Sequence, residues 1–442
     1  MSVQTTVRRG RWIDHWEPEN PEFWASTGRK VANRNLVFSI LAEHLGFSVW
    51  LLWSAVTVFL PQAGFAFSVD QLFWLVALPN LVGSVLRLPY TFAVAAFGGR
   101  MWTVVSAFLL LVPTGLLAWC VSDPSTPYWM FVVAAVTAGL GGGNFASSMA
   151  NISFFYPDSR KGFALGLNAA GGNIGVAVVQ LVVPLVISAG TGVHLAYAGL
   201  LWMPFVIVAG VCALFFMDSL TQARSDFSSY AASTRNRHTW VMSFLYIGTF
   251  GSFIGYSAAL PLLINSTFPE SKAGYFAFLG ALVGSASRPL GGWLADRWGG
   301  GRVTLWTFLS MGLGVAGVVQ GLTLHDFWLF LLSFLWLFVT SGVGNGSTFR
   351  MIPAIFKNQV GDAVSAKRQS AAVMGIAGAV GAVGGFLITR AFAMSVTAYG
   401  SLVPAFLAFL AFYGVCLAVT WWYYLRRRVL AVRLPSLAHA GV

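Results

Sequence analysis

Twelve apolar stretches, each long enough to cross a bilayer, constrain this chain of 442 residues more than anything else in it. They fall at about 35–61, 71–97, 101–121, 128–155, 161–188, 197–217, 239–265, 273–296, 303–322, 327–356, 367–392 and 400–425. A helix needs roughly 20 predominantly apolar residues to cross the hydrocarbon layer. In lipid every backbone polar group must be satisfied internally, which favours helices for runs of this length. The chain therefore reads as an all-α integral membrane protein. Composition agrees: 57% of residues are hydrophobic and 9% charged, against about 25% charged in a soluble domain. The 26 Lys/Arg and 14 Asp/Glu are too few to coat a soluble surface of this size. Soluble enzyme folds, DNA-binding domains and disulfide scaffolds are excluded.

The net charge of +12 is scattered between apolar runs, so it reports topology rather than nucleic-acid binding. With both termini on one side, that side collects 21 of the 26 Lys/Arg, and the other receives Lys272 and Arg390. The positive-inside rule then places both termini in the cytoplasm. Cys120, Cys212 and Cys416 are far apart and lie in or at the end of apolar runs, as small core residues do. Neither they nor the six histidines have metal-ligand spacing, and no cofactor is expected. The first 34 residues carry six basic residues and no apolar core, so they read as a retained cytoplasmic segment rather than a signal peptide. The polar stretch 218–238 divides the rest. The expected organisation is an N-terminal segment 1–34, a six-helix bundle 35–217, a linker 218–238, a second six-helix bundle 239–425 and a tail 426–442.

The two halves repeat. Gly83-Ser84-x-x-Arg87 recurs as Gly284-Ser285-x-x-Arg288, and Gly141-Gly142-Gly143-Asn144 recurs as Gly342-Val343-Gly344-Asn345, both at an offset of 201. Equal spans in equal orientation make a parallel repeat about an axis along the membrane normal, an arrangement that places ligands near the midplane between the halves. Arg87 and Arg288 lie inside spans at equivalent positions. A guanidinium in hydrocarbon costs at least ~2.5–3.5 kcal/mol, so each is expected to face the interior and find a partner. Of the 14 acidic residues only Glu43 falls inside a span, so an ion pair could satisfy one arginine at most. Two such arginines describe an anion site, against the plainer reading of snorkelling to the interface. The glycine runs around Asn144 and Asn345 follow no strand, which excludes a phosphate-cradling loop. They are read as close helix–helix contacts that also permit rocking. In Gly291-Gly292-Trp293-Leu294-Ala295-Asp296-Arg297-Trp298-Gly299-Gly300-Gly301-Arg302, Asp296 can pair with a nearby arginine, so Asp296, Arg297 and Arg302 are read as a cytoplasmic latch beside the reading of an ordinary solvated loop.

That loop resembles the cytoplasmic signature of the major facilitator superfamily. GGGNFASSMANISFFYP (141–157) and GVGNGSTFRMIPAIF (342–356) resemble the paired nitrate signatures of its NarK-type nitrate/nitrite porter family. LRLPYTF around Arg87, SRPLGG around Arg288, DHWEPENPEFW near the N-terminus and LYIGTFGSFIGYS (245–257) fit the same family. The resemblance covers nearly the whole chain. It implies the major facilitator fold, with twelve transmembrane helices in two pseudo-symmetric bundles. It also implies that Arg87 and Arg288 clamp the anion, that Tyr246 and Asn173 add polar contacts, and that Phe145 and Phe250 pack against the flat ion. Gly141, Gly143, Asn144, Gly342, Gly344 and Asn345 are the signature positions.

Nitrate is planar and singly charged, and a guanidinium offers it a planar fork of donors. Because nitrate is the anion of a strong acid and arginine stays charged, neither supplies a titrating group for proton coupling. Exchange of nitrate for nitrite by alternating access is the expected mechanism, in a bacterial inner membrane, by a protein working as a monomer with no nucleic-acid partner and no enzymatic chemistry. Glu43-His44 departs from the family expectation of apolar residues. Glu43 is read either as a proton site, which makes the chain a nitrate/proton symporter, or as a carboxylate paired with an arginine such as Arg350. Arg350 is itself a departure, since an uncharged residue is expected there. An organophosphate/phosphate exchanger of the same superfamily, a membrane enzyme and a channel are the remaining readings. The first lacks these motifs, and the second would need a nucleophile with a base or clustered metal ligands.

Overall fold

The computed structural model describes residues 7–8, 10–223, 227–271, 275–426, 437 and 442. Of the basic residues counted above, Arg9, Arg224, Lys272, Arg427, Arg428 and Arg433 lie outside the described residues. The chain is built from long helices: α1 Arg29–Trp50, α2 Val69–Phe97, α3 Gly99–Cys120, α4 Tyr128–Phe155, α5 Asp158–Ile187, α6 Ala196–Phe216, α7 Arg237–Thr267, α8 Ala277–Trp298, α9 Gly300–Leu324, α10 Phe327–Gln359, α11 Ala363–Tyr399 and α12 Val403–Leu425. Among the described residues, ten are long and apolar enough to cross a membrane; α1 and α8 do not reach that standard. The reason is chemical. The first half of α1 carries Arg29, Lys30, Arg34 and two asparagines, and α8 mixes Arg288 with glycines and serines.

The chain divides into two compact units, Met1–Ala66 with Val82–Ser225 and Phe67–Leu81 with Asp226–Val442. The expected division near residue 220 is therefore incomplete: the first turns of α2 group with the second unit. In that unit the Asp70 carboxylate pairs with Arg390 of α11 at 2.9 Å, and the Arg390 guanidinium lies 4.0 Å from the Trp74 ring centre. Arg390 was expected near the end of its span. The helix continues to Tyr399, so the arginine sits inside it.

In the first unit α1 packs along α5 and α4. The helix starts six residues earlier than the apolar run suggests, so Glu43 lies fourteen residues along it, about 21 Å at 1.5 Å per residue. The N-terminal segment packs against the first unit. Trp12–Ile13 pairs in parallel with Ser219–Leu220. The Asp218 carboxylate, read as part of the linker, is buried between Arg11 (2.8 Å), Arg34 (2.5 Å) and an amide N–H from Asn35 (3.0 Å). Trp16 sits edge-on to Phe23 and Phe155, and Trp24 lies against Tyr156. The motif DHWEPENPEFW thus supplies an aromatic cap for the end of α4. Burial pushes the Tyr156 phenol up to about 12, and its O–H donates to the Asn33 amide oxygen at 2.8 Å.

In the second unit α10 packs along both α8 and α9, and α7 along α11. α7 contains a π-helical turn, Ile247–Gly251, directly after Tyr246; such turns concentrate at functional positions. Both units have a largely apolar interior that also buries Asn144, Asn168, Asn173, Asn345 and many hydroxyls, while Phe163, Trp306 and Leu313 are exposed. Exposed apolar side chains of that size suit a hydrocarbon surround, which removes the usual cost of exposing them.

Candidate functional site

Close helix contact positions Arg87. A Cβ on Gly83 would come within 2.5 Å of the Trp50 indole nitrogen and 3.1 Å of the Gly142 Cα, and one on Gly141 would sit 2.2 Å from the Gly46 carbonyl oxygen. The glycines of the first signature therefore let α4 meet α1 and α2 backbone to backbone, as the packing reading requires. One turn after Gly83, Arg87 meets the same stretch of α4. It is 1% exposed, and its Nε donates to the Gly142 carbonyl at 3.2 Å. Its guanidinium carbon lies 4.7 Å from the Phe145 ring centre and 5.3 Å from that of Trp50. The aromatic faces favour a cation electrostatically. Asn173 and Asn144 are also buried in this unit, and the amide nitrogen and oxygen of each make no hydrogen bond to protein. Buried amides in that state are uncommon and call for an explanation.

Glu43 is buried on α1. Its carboxylate accepts an N–H from Asn168 of α5 at 2.6 Å, and the same amide group donates to Ser148 at 2.6 Å, which is linked to Ser39 at 2.8 Å. The alternative of a pair with Arg350 does not describe this contact: Arg350 belongs to the second unit and pairs with Asp296.

Arg288 of the second unit is 7% exposed. Its Nη2 donates to the Tyr246 hydroxyl at 3.2 Å, and its guanidinium carbon lies 5.5 Å from the centre of Phe349 and 6.0 Å from that of Phe250. Tyr246 stacks on Phe250 with centroids 5.2 Å apart and planes 8° from parallel. Small residues again set the approach: a Cβ on Gly342 would sit 2.1 Å from the Gly284 carbonyl oxygen, and one on Gly344 would meet Thr249 at 2.6 Å. Asn345 is buried beside them with its amide oxygen outside any hydrogen bond to protein. Of the loop residues, Asp296 takes the Arg350 guanidinium, Arg297 lies 5.6 Å over Trp293, and Arg302 is exposed.

By unit, the residues expected from sequence divide into Arg87, Phe145, Asn144 and Asn173 in the first and Arg288, Tyr246, Phe250 and Asn345 in the second; contacts join Arg87 with Phe145, and Arg288 with Tyr246 and Phe250. Sequence reasoning missed Trp50, Phe349 and Asn168. Phe349 lies inside the second signature and Asn168 in LGLNAAGGN, so an aromatic or amide count within the motifs would have found them. Trp50 had no local signal. Among the described residues no group of three or more His, Cys, Asp or Glu could hold a metal ion.

Comparison with known proteins places this arrangement. A sequence model described as Major Facilitator Superfamily matches residues 45–389. The chain is 42% identical to a nitrate/nitrite transporter, NarU, of Salmonella typhimurium, over 94% of this chain and 96% of that one. It is 41% identical to the NarU of Escherichia coli, over 97% and 99%, and 36% identical to a probable nitrate/nitrite antiporter, NarK2, of Thermus thermophilus, over 95% and 98%. Among solved structures it is similar in fold to a D-xylose-proton symporter, with a TM-score of 0.67 at 15% identity, covering 90% of this chain and 99% of that one.

Proposed function

Because the chain belongs to the nitrate/nitrite porter family of the major facilitator superfamily, we propose that it carries nitrate inward in exchange for nitrite by alternating access, with Arg87 and Arg288 acting on the same anion. The observation that carries this reading is the repeat itself. The repeat buries one arginine in each unit, Arg87 and Arg288, at the same offset and against aromatic faces. A planar monoanion suits that chemistry, since guanidinium forks and aromatic faces both match a flat, delocalised ion. Tetrahedral, doubly charged phosphate suits it less well.

Exchange follows from the charges. An unloaded pair of arginines repels, and one bound anion relieves part of that repulsion, so the loaded carrier changes conformation more readily than the unloaded one. In this reading twelve helices cross a bacterial inner membrane, both termini face the cytoplasm, a single copy suffices, and Asp296 with Arg350 and the neighbouring loop stabilises one conformation. The names of the relatives, which include nitrate/nitrite transporters and probable antiporters, support the substrate class. The test is labelled-nitrate uptake into proteoliposomes with the proton gradient clamped. Internal nitrite is expected to accelerate uptake at least tenfold; equal rates with and without it would end the exchange reading.

A further inference from the structure

Arg390 carries a charge that the anion site described above does not use. In the orientation proposed above, the outer side of the chain exposes Asp123, Glu270 and Asp326, and Asp70 is half-exposed there. Lys272 and Arg390 are the Lys and Arg that the sequence gives that side. An anion arriving from outside thus meets more carboxylates than cations, a field that repels it. Of the two cations, Arg390 is the one among the described residues.

The second unit builds a place around it. Asp70, in the first turn of α2, accepts from the Arg390 Nη2 at 2.9 Å. One turn deeper, the Trp74 ring centre lies 4.0 Å from the guanidinium carbon, and Trp74 leans on Phe386 of α11 with centroids 6.0 Å apart. Deeper again, a Cβ on Gly385 would come within 3.3 Å of the Asn80 side chain. The arginine side chain is 16% exposed, so part of it meets the outer solution. Its Nη1 is buried and hydrogen-bonds to none of the described residues. A buried charged donor in that state is uncommon and costly. α11 joins this place to the anion site. Nine residues before Arg390, a Cβ on Gly381 would lie 2.5 Å from the Tyr246 ring, whose hydroxyl accepts from Arg288. Arg390 therefore lies about 14 Å further out along the same helix, at 1.5 Å per residue.

The chemistry of the pair gives it a meaning. To a guanidinium, a carboxylate and a nitrate present the same thing: a flat, singly charged group with delocalised oxygens. Asp70 thus fills Arg390 as a built-in stand-in for the transported ion, yet it takes one arm of the fork. A planar anion from solution can take both arms, which is the stronger arrangement, once the Asp70 side chain and its turn move aside. The Trp74 face stays behind the guanidinium, favours its charge and leaves the donor edge open. Asp70 is already half-exposed, so its return to water costs little.

We propose that Arg390, stacked on Trp74, is an outer reception site for the transported monoanion, with Asp70 as its internal competitor. The proposal rests on the anion reading of Arg87 and Arg288 and extends it outward along α11. The incoming ion takes the guanidinium and Asp70 turns to water. When the ion moves inward to Arg288, the carboxylate returns to Arg390 behind it. The arginine is paired at every stage, so no bare cation is left to hold the ion back. A plain structural clasp predicts something else. If the pair only fastened α2 to α11, removing either member would loosen it alike, and both variants would shift transport in one direction. In a reception site the two members oppose each other, because one binds the anion and the other competes with it.

The test uses the full chain in right-side-out membrane vesicles loaded with saturating nitrite, and reads initial nitrate uptake against external nitrate. Arg390→Gln is expected to raise the external KM about tenfold, with the maximal rate kept within about twofold. Asp70→Asn is expected to lower it about threefold. The double variant is expected to match Arg390→Gln alone, since a competitor without its cation has nothing to block. Shifts of both single variants in the same direction overturn the proposal in favour of a clasp. An unchanged KM in Arg390→Gln overturns it too. So does a double variant with the KM of Asp70→Asn, which would reduce Asp70 to a general repulsion. Wild-type vesicles without nitrate/nitrite counterflow would instead overturn the anion reading. Should Arg390→Gln fail to fold, Trp74→Leu decides. It keeps both charges and removes the ring behind the guanidinium, so the external KM is expected to rise about threefold. A KM that stays in place overturns the proposal.

Discussion

Arg87 and Arg288 hold the same register in the repeat, yet their surroundings differ. Arg87 leans on backbone, the Gly142 carbonyl, and on Phe145 and Trp50; Arg288 leans on a side-chain hydroxyl, Tyr246, with Phe349 and Phe250 beside it. The glycines differ less. Gly83 faces the Trp50 indole and Gly284 faces the Phe253 ring, so a missing Cβ makes room for an aromatic ring in both units. The repeat thus preserves the cation and the close approach of helices, because both depend on residues that no other type replaces. It lets the hydrogen-bond partner change, because a carbonyl and a phenol can each hold a guanidinium.

The largest expected effect tests whether the two halves are equivalent. Arg87→Lys and Arg288→Lys should each reduce nitrate/nitrite counterflow at least 100-fold, since an ammonium keeps the charge but loses the planar fork. Near-normal flux in either variant would break the equivalence. Tyr246→Phe removes the hydroxyl from Arg288; hydrogen bonds to charged groups are worth about 1.5–3 kcal/mol. The apparent affinity for nitrate should fall about tenfold, and an unchanged KM would show that the phenol only packs. Gly83→Ala forces a methyl against Trp50 and Gly142, and overpacking costs about 1–3 kcal/mol. A thermal-shift assay in detergent should read a lower Tm, whereas Gly292→Ala, where a Cβ meets nothing within 4 Å, should leave it unchanged. The smallest effect is expected for Arg350→Gln. Both members of the Arg350–Asp296 pair are more than half exposed, and exposed pairs contribute about 0–1 kcal/mol. Counterflow should change less than threefold; a larger loss would make this contact a true latch.

Much of the arrangement was legible before any coordinates. Arg87 and Arg288 could be found because a charge inside an apolar run is costly and rare, and their pairing because two motifs share one offset. The glycines were legible as packing surfaces for a similar reason: small residues in lipid have few other uses. Trp50 and Phe349 were not, since an aromatic in an apolar run gives no sign of whether it faces lipid, core or a guanidinium. The packing of the N-terminal segment was not legible either. Its charges and prolines carry no sign of the buried Asp218 that takes Arg11 and Arg34.

Hydropathy, repeat spacing and charge count alone determined that this chain is helical, membrane-embedded, internally duplicated and cationic at two matched points. Those properties follow from one-dimensional rules, the period of a helix and the cost of a charge in oil. Tertiary structure decided which partner each charge meets: Arg390 with Asp70, Arg350 with Asp296, Glu43 with Asn168. Partners are set by the rotation of helices about their axes and by contacts between residues over a hundred positions apart. Spacing along the chain carries no record of either.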